Sequence, residues 1–300
     1  EILSVTLGSF IDRKSIDANN NFLKGYNANK NGNYKDAIKY YSKFLEVFPN
    51  FAGAYYNRGL AYSELQDYSN AISDYDKAIE INSNYAVAYS DRGNAFNKLQ
   101  DYSKAISDFN RAIEINPNLE QAYNNRGATY ADLKDYSKAI SDFNRAIEIN
   151  PNHAAAYINR GIAYSELQDY SNAISDYNKA IEINPNYASA YNNRGLVYGK
   201  GLQDYSKAIS DFNRAIEINP NLEQAYNNRG ATYADLKDFS KAILDYNRAI
   251  EINPNFSDAY YNRGLSYGMS GNTIKACEDF EKAYSLGITQ AKDLLYDNCK

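Results

Sequence analysis

Two side-chain types able to bind by charge or hydrogen bonding recur along this 300-residue sequence at fixed spacing. Arginine stands at Arg58, Arg92, Arg126, Arg160, Arg194, Arg229 and Arg263, and asparagine directly precedes it at Asn57, Asn125, Asn159, Asn193, Asn228 and Asn262. Asp91 breaks the asparagine series. A guanidinium presents a planar fork of donors that suits carboxylate or phosphate. A carboxamide carries both donor and acceptor, so a row of them can hold a peptide backbone without reading its sequence. The arginines would make an anion track if left open. They would be structural if each met an Asp of its own unit, and Asp74, Asp108, Asp142, Asp176, Asp211, Asp245 and Asp279 recur in step with them. One divergent unit holds Lys24 and Tyr40 at these two places and so loses both partners together, which favours the structural pairing.

Other chemistry has little support. His153, the sole histidine, falls in a loop between units, where solvent exposure is expected rather than service as a base or metal ligand. Cys277 and Cys299 have no metal-type spacing. Cys277 takes a place held elsewhere by Ile, as at Ile140, and reads as a small buried hydrophobe. The acidic residues follow the repeat as a solvated face does, and no glycine-rich phosphate loop appears. Asn255-Phe256-Ser257 matches a glycosylation acceptor, a pattern too short to weigh much. No catalytic, cofactor or metal site is expected.

The elements that position these residues follow from a period of 34 residues, broken by one insertion near Gly199-Lys200-Gly201. Seven units begin at 52, 86, 120, 154, 188, 223 and 257, the last reaching 288, and a divergent unit covers 18–51. Each reads as two helices. Tyr123, Gly127 and Tyr130 share a face of one, and Ala139, Phe143, Ala146 and Ile147 a face of the other. Asp135 is placed to cap the second helix and Asn150-Pro151 to end it. Gly127 and Ala139 permit close backbone approach, with Tyr130 and Phe143 filling the flanks. Neither helix buries its apolar face alone, so neighbouring units must stack.

These residues resemble the tetratricopeptide repeat family. Its aromatic, Gly, aromatic, Ala, aromatic, Ala, Pro pattern is met by Tyr123, Gly127, Tyr130, Ala139, Phe143, Ala146 and Pro151, while Arg126 stands where Leu is commonest. The resemblance covers 18–290. It implies an all-α, right-handed α-α superhelix, a solenoid of about eight helix-turn-helix repeats, with ligands on the inner side. One member of the family carries an asparagine ladder at the matching position, lining its inner surface and holding peptide backbone, so the resemblance implies the same role here. The resemblance also places Tyr56, Ser90, Asn124, Ile158, Asn192, Asn227 and Tyr261 on that inner side. The family's two-carboxylate clamp for chaperone C-termini is matched only at Asn57; Phe22, Tyr26, Val87 and Asp91 hold its other places.

Residues 289–300 read as a C-terminal capping helix and residues 1–17 as a capping helix or apolar lead. Residues 99–152 and 202–255 differ at three aligned positions, so the second to fourth units were copied to make the fifth to seventh. Recurrence of Gln121, Asn124, Asn125 and Asp132 as Gln224, Asn227, Asn228 and Asp235 is therefore inheritance before it is two matched subsites. Net charge is −5 with both signs interspersed, which leaves no basic footprint for nucleic acid. No apolar run is long enough to enter and cross a bilayer. Cytoplasmic placement is favoured, and a cleaved export signal before Glu1 would leave no trace.

The expectation is a non-catalytic scaffold holding a protein or extended peptide in its groove through Asn57, Asn125, Asn159, Asn193, Asn228 and Asn262. Packed helices lie about 8–10 Å apart and an extended chain rises about 3.3 Å per residue, so one Asn would meet roughly every third ligand residue. The rivals are a module that self-associates through its terminal repeats, a targeting arm of a larger enzyme, and a chaperone adaptor.

Overall fold

A computed structural model describes residues 13–299, and the described residues hold seventeen α-helices and no strand. They form eight antiparallel-type pairs: α1 (Arg13–Lys30) with α2 (Tyr34–Leu45), α3 (Ala52–Glu64) with α4 (Tyr68–Ile81), α5 (Ala86–Lys98) with α6 (Tyr102–Ile115), and α7 (Glu120–Asp132) with α8 (Tyr136–Ile149). These lie in a first compact unit ending at Pro151. A second unit, from Asn152, holds α9 (Ala154–Glu166) with α10 (Tyr170–Ile183), α11 (Ala188–Leu196) with α12 (Tyr205–Ile218), α13 (Glu223–Asp235) with α14 (Phe239–Ile252), and α15 (Ser257–Met269) with α16 (Thr273–Ser285), then α17 (Ala291–Asn298). Of the N-terminal lead, residues 1–12 lie outside the described residues, and Arg13–Asp17 begin α1.

Local chemistry sets the helix ends. Asp67, Asp101, Asp135, Asp169, Asp204 and Asp238 each accept the backbone N–H three residues on, satisfying a donor the helix start leaves orphaned. Asn150 ends α8 in an extended conformation (φ −131°, ψ 92°), as the following proline requires. The turn inside each of the eight repeats has one left-handed residue. Gly32 and Gly271 supply it in the first and last repeats, whereas Gln66, Gln100, Lys134, Gln168, Gln203 and Lys237 adopt it elsewhere (φ 54–62°). The inserted residue is absorbed without lengthening the turn. Val197–Gly201 form a π-helical turn at the end of α11, with Leu202 N–H donating to the Val197 carbonyl at 3.0 Å.

The two helices of a repeat meet where one has no side chain. A Cβ built on Gly127 would stand 2.8 Å from Phe143 Cε1 and 3.1 Å from the Ala139 carbonyl oxygen. The same contact recurs at Gly59 with Tyr75, Gly161 with Tyr177 and Gly230 with Tyr246. Phe143 therefore covers the glycine itself, fully buried, while Tyr130 stays half-buried at the edge with the Lys138 ammonium 5.3 Å over its ring.

Around this contact each arginine forms a clamp. Arg126 Nε and Nη2 donate to the two oxygens of Asp142 at 2.8 and 2.6 Å, and all seven expected pairs form in this bidentate way. The insertion stretches the spacing to 17 residues at Arg194–Asp211 without losing the pair. Each guanidinium also lies 5.3–5.6 Å from the ring of the Tyr three residues before it. Nη1 then reaches back to the second helix of the preceding repeat, at Ser42, Asp76, Asn110, Asn178, Asn213 and Asn247. One side chain so ties three helices. In the first repeat Lys24 lies 5.8 Å over the Tyr40 ring, a cation–π contact where later repeats have an ion pair.

The first helices of successive repeats also touch one another: α1 with α3, α3 with α5 and α5 with α7 in the first unit, α11 with α13 and α13 with α15 in the second. This makes a continuous first-helix face over α1, α3, α5 and α7 in the first unit and over α11, α13 and α15 in the second. At the C-terminus α17 folds back on α16, burying Ala291 and bringing Leu294 and Leu295 against Phe280 and Ala283. This return brings Cys299 to Cys277, and the two form a disulfide with Cα atoms 5.7 Å apart. Cys277 is thus half-buried and cross-linked, not the isolated apolar filler its place in the repeat implied. The bond closes a loop spanning 22 residues of sequence, which restricts the unfolded chain by about 3 kcal/mol.

Two outcomes follow for urea denaturation. Asp142→Ala, which strands a half-buried guanidinium, should cost about 3 kcal/mol, and Arg126→Leu with Asp142→Leu should recover most of that loss. Gly127→Ala should cost about 1–3 kcal/mol by overpacking against Phe143. Gly268→Ala, whose added Cβ would meet nothing nearer than Ala276 Cβ at 3.9 Å, should instead stabilise by about 0.5–1 kcal/mol through helix propensity.

Candidate peptide-binding face

The ladder asparagines all lie on first helices, between the buried glycine and the helix start, and their surroundings differ. The side chain of Asn57 has no hydrogen-bond partner among the described residues, while its backbone carbonyl accepts from Asn29 Nδ2 at 3.0 Å. Asn125 and Asn193 accept at Oδ1 from the amide of the preceding residue, Asn124 and Asn192, at 3.3 Å. Asn228 and Asn262 are used between repeats. Asn228 Nδ2 donates to Asn192 Oδ1 at 3.0 Å, and Asn262 Nδ2 to Asn227 Oδ1 at 3.1 Å. Asn159 is half-buried on α9.

Four positions expected on the open inner side are buried instead. Ser90, Ile158, Asn192 and Asn227 are 4–9% exposed. Asn192 and Asn227 are taken up by bonds between first helices, which leaves them little room in a groove, and they act as acceptors for the next repeat's ladder residue. His153 also departs from expectation: it is half-buried at the start of α9, in the place where other repeats put Tyr85, Leu119, Tyr187, Leu222 or Phe256.

These family positions sit in the expected helix pairs, and the repeat itself is recognised by sequence. The tetratricopeptide repeat model matches residues 52–85, 86–119, 120–153, 154–187 and 223–256, more than half of the chain. The chain belongs to the tetratricopeptide repeat family. Related models of the same repeat match 18–51, 176–210, 202–237 and 245–278. No curated protein sequence matches the chain. Among solved structures, a chain of the APC/C hetero-tetramer Cut9–Hcn1 superposes with a TM-score of 0.71 at 17% identity, over 94% of this chain and 55% of that one. This tetratricopeptide repeat chain thus spans about half the length of that relative. A tetratricopeptide repeat protein from Parabacteroides merdae superposes at 0.67 with 21% identity, over 83% of this chain and 99% of its own. At such identities the likeness is one of fold.

Two clefts open on the first-helix face of this repeat protein. In the first unit a cavity of about 320 Å³ is lined by Tyr56, Val87, Ser90, Asp91, Asn94, Leu119, Gln121 and Asn125, and so joins the first helices of three successive repeats. In the second, about 410 Å³ lies among Ala231, Ala234, Asp235, Asn262, Leu265 and Met269, with Phe239 and Tyr246 behind. The first is polar and holds the one carboxylate of the ladder series. Tyr56 Oη donates to Asp91 Oδ2 at 2.8 Å. Burial pushes the Asp91 carboxyl above the usual carboxylate range, against the bonds from Tyr56 and Asn94 that favour its charge. Burial likewise pushes up the Tyr56, Tyr75 and Tyr85 phenols, and the Asp91 charge adds to each shift. Among the described residues no group of three or more His, Cys, Asp or Glu is placed to hold a metal ion.

The backward reach of six of the arginines to the preceding repeat was not anticipated from the sequence. Its signal was present: an Asn or Asp stands two residues after the paired Asp at Asp76, Asn110, Asn178, Asn213 and Asn247. Nor was Thr129, which is fully buried, donates to the Asn125 carbonyl at 2.9 Å and accepts from Asn97 Nδ2 at 2.7 Å.

The differing surroundings predict unequal costs within the ladder. Asn57→Ala should leave stability within about 0.5 kcal/mol of the parent, as for a surface site. Asn228→Ala, which removes a half-buried bond between repeats, should cost about 0.5–1.5 kcal/mol. Chemical denaturation of the two variants side by side reads the difference.

Proposed function

We propose that this tetratricopeptide repeat scaffold, a protein-interaction module by family, binds an extended segment of a partner protein along its first-helix face and performs no catalysis. The observation that carries the reading is the amide capacity left on that face. Asn57 keeps its whole carboxamide, and Asn125 and Asn193 keep their Nδ2 donors, with no partner among the described residues. Half-buried amides with spare donors and acceptors are suited to backbone groups of a strand-like ligand. The Asn228 and Asn262 amides are already engaged through Nδ2 and would offer chiefly Oδ1, so the ladder would grip more through acceptors toward the C-terminal end. The Cys277–Cys299 disulfide fits an oxidising compartment better than the cytoplasm.

The test is a combined replacement of Asn125, Asn159 and Asn193 by Ala. A partner captured by the parent chain should bind this variant at least ten-fold more weakly in titration calorimetry, while the helical circular dichroism signal is retained. Equal affinity would remove the ladder from the binding site. Light scattering across concentration tests the rival: growth in mass with concentration would favour end-to-end assembly through the terminal repeats.

A further inference from the structure

The chain has seven carboxylates on second helices that answer the repeat arginines, and every one is held by a bidentate guanidinium. Asp91 is different. It is half-buried on a first helix, and no Lys or Arg forms an ion pair with it among the described residues. A charge removed from water without a counter-charge is costly. The repeat offers an uncharged residue of the same shape at this place, since six other units carry Asn there.

What surrounds Asp91 suits a cation. Tyr56 bonds its Oδ2 atom, and the Tyr56 ring lies 5.0 Å from the Tyr85 ring and 6.0 Å from the Tyr75 ring, centroid to centroid. A carboxylate accepts several bonds, so one phenol and one amide leave it capacity. Of these rings Tyr56 lines the cavity itself, and its π face favours a cation further. From the next repeat Gln121 and Asn125, one helical turn apart, face the same 320 Å³ cavity with amides able to hold the chain on which such a cation is carried. A metal ion would find only one carboxylate here, too few hard ligands for a closed site. The net charge of −5 draws cationic ligands toward the chain in general, and the cavity would give that attraction one address.

The geometry points to a specificity subsite: the cavity between α3, α5 and α7 receives a Lys or Arg side chain of the bound segment, with its charge on Asp91. This rests on the reading of the first-helix face as a peptide groove, and names the residue class that groove selects.

A randomised nonapeptide display library panned on the full chain tests it. The parent should select peptides with Lys or Arg fixed at one position. The best of them should lose at least ten-fold in affinity on Asp91→Asn, and the same amount when its basic residue becomes norleucine, the two losses not adding. Glu114→Gln, which removes an equal charge from an exposed pair with Arg111, should change nothing. Selected peptides without a fixed basic position, or a basic preference kept by Asp91→Asn, would overturn the subsite while leaving the groove in place. No selection by the parent would sink the groove and the subsite together. Thermal melting at neutral pH adds a readout independent of ligand. Asp91→Asn should melt at or above the parent temperature, because it keeps a bond for Tyr56 and removes a half-buried charge. A lower melting temperature would assign the carboxylate to the fold instead.

Discussion

Each full repeat is organised around one guanidinium. Arg126 is fixed by a two-point bond to Asp142 on its own second helix, by the Tyr123 ring beneath it and by Asn110 on the repeat before. Asp142 is 6% exposed, so the pair has little water to fall back on. Such a pair adds little net stability over an apolar core of equal volume. Its effect is directional: the fork accepts a carboxylate in one plane, so it specifies how the helices dock rather than how strongly. The glycine contact sets how closely they dock. With Tyr75, Phe143 or Tyr246 lying on a backbone that has no Cβ, the helices of a pair have only one comfortable separation. Distance and direction, repeated, are what stacking needs.

Within each unit the first-helix face must do two things. It carries the asparagines proposed to hold a ligand, and it is also where successive first helices touch. The compromise varies along the chain. Asn125 and Asn228 descend from one ancestral unit, yet Asn125 follows a repeat with Ser90 at the acceptor place and Asn228 one with Asn192. One amide keeps its donor and the other gives it to its neighbour. Identical repeats therefore need not be identical binding subsites, because a rung's chemistry depends on the unit before it. Asp91 is the extreme case, where the ladder residue itself changes and the charge is met by the Tyr56 phenol and the Asn94 amide instead of a cation.

Much was legible without coordinates. The period, the helix pairs, the aspartate caps, the Asn150-Pro151 stop and the seven Arg–Asp pairs follow from spacing, because they are made within one 34-residue unit and repeat with it. The joint loss of Arg and Asp in the first unit marks the two as partners, and Lys24 over Tyr40 is their substitute. The half-buried state of His153 was legible too, from the large residues at Tyr85 and Leu119, had the repeat position been weighed above the residue type.

What the sequence by itself determined is what the repeat states many times: which residues are helical, which faces are apolar and which charges belong together. What only the tertiary structure decided lies between units or occurs once. Cys277 and Cys299 meet because α17 turns back on α16, and two cysteines 22 residues apart give no sign of that return. The arginine's third bond, the sharing of amides between Asn228 and Asn192, and the cavity around Asp91 each join residues from different repeats. A repeating sequence has the same local pattern on both sides of such a contact, so the contact leaves no distinctive spacing. It is fixed by how far one rigid helix pair slides and turns on the next, and that is a property of packing rather than of period.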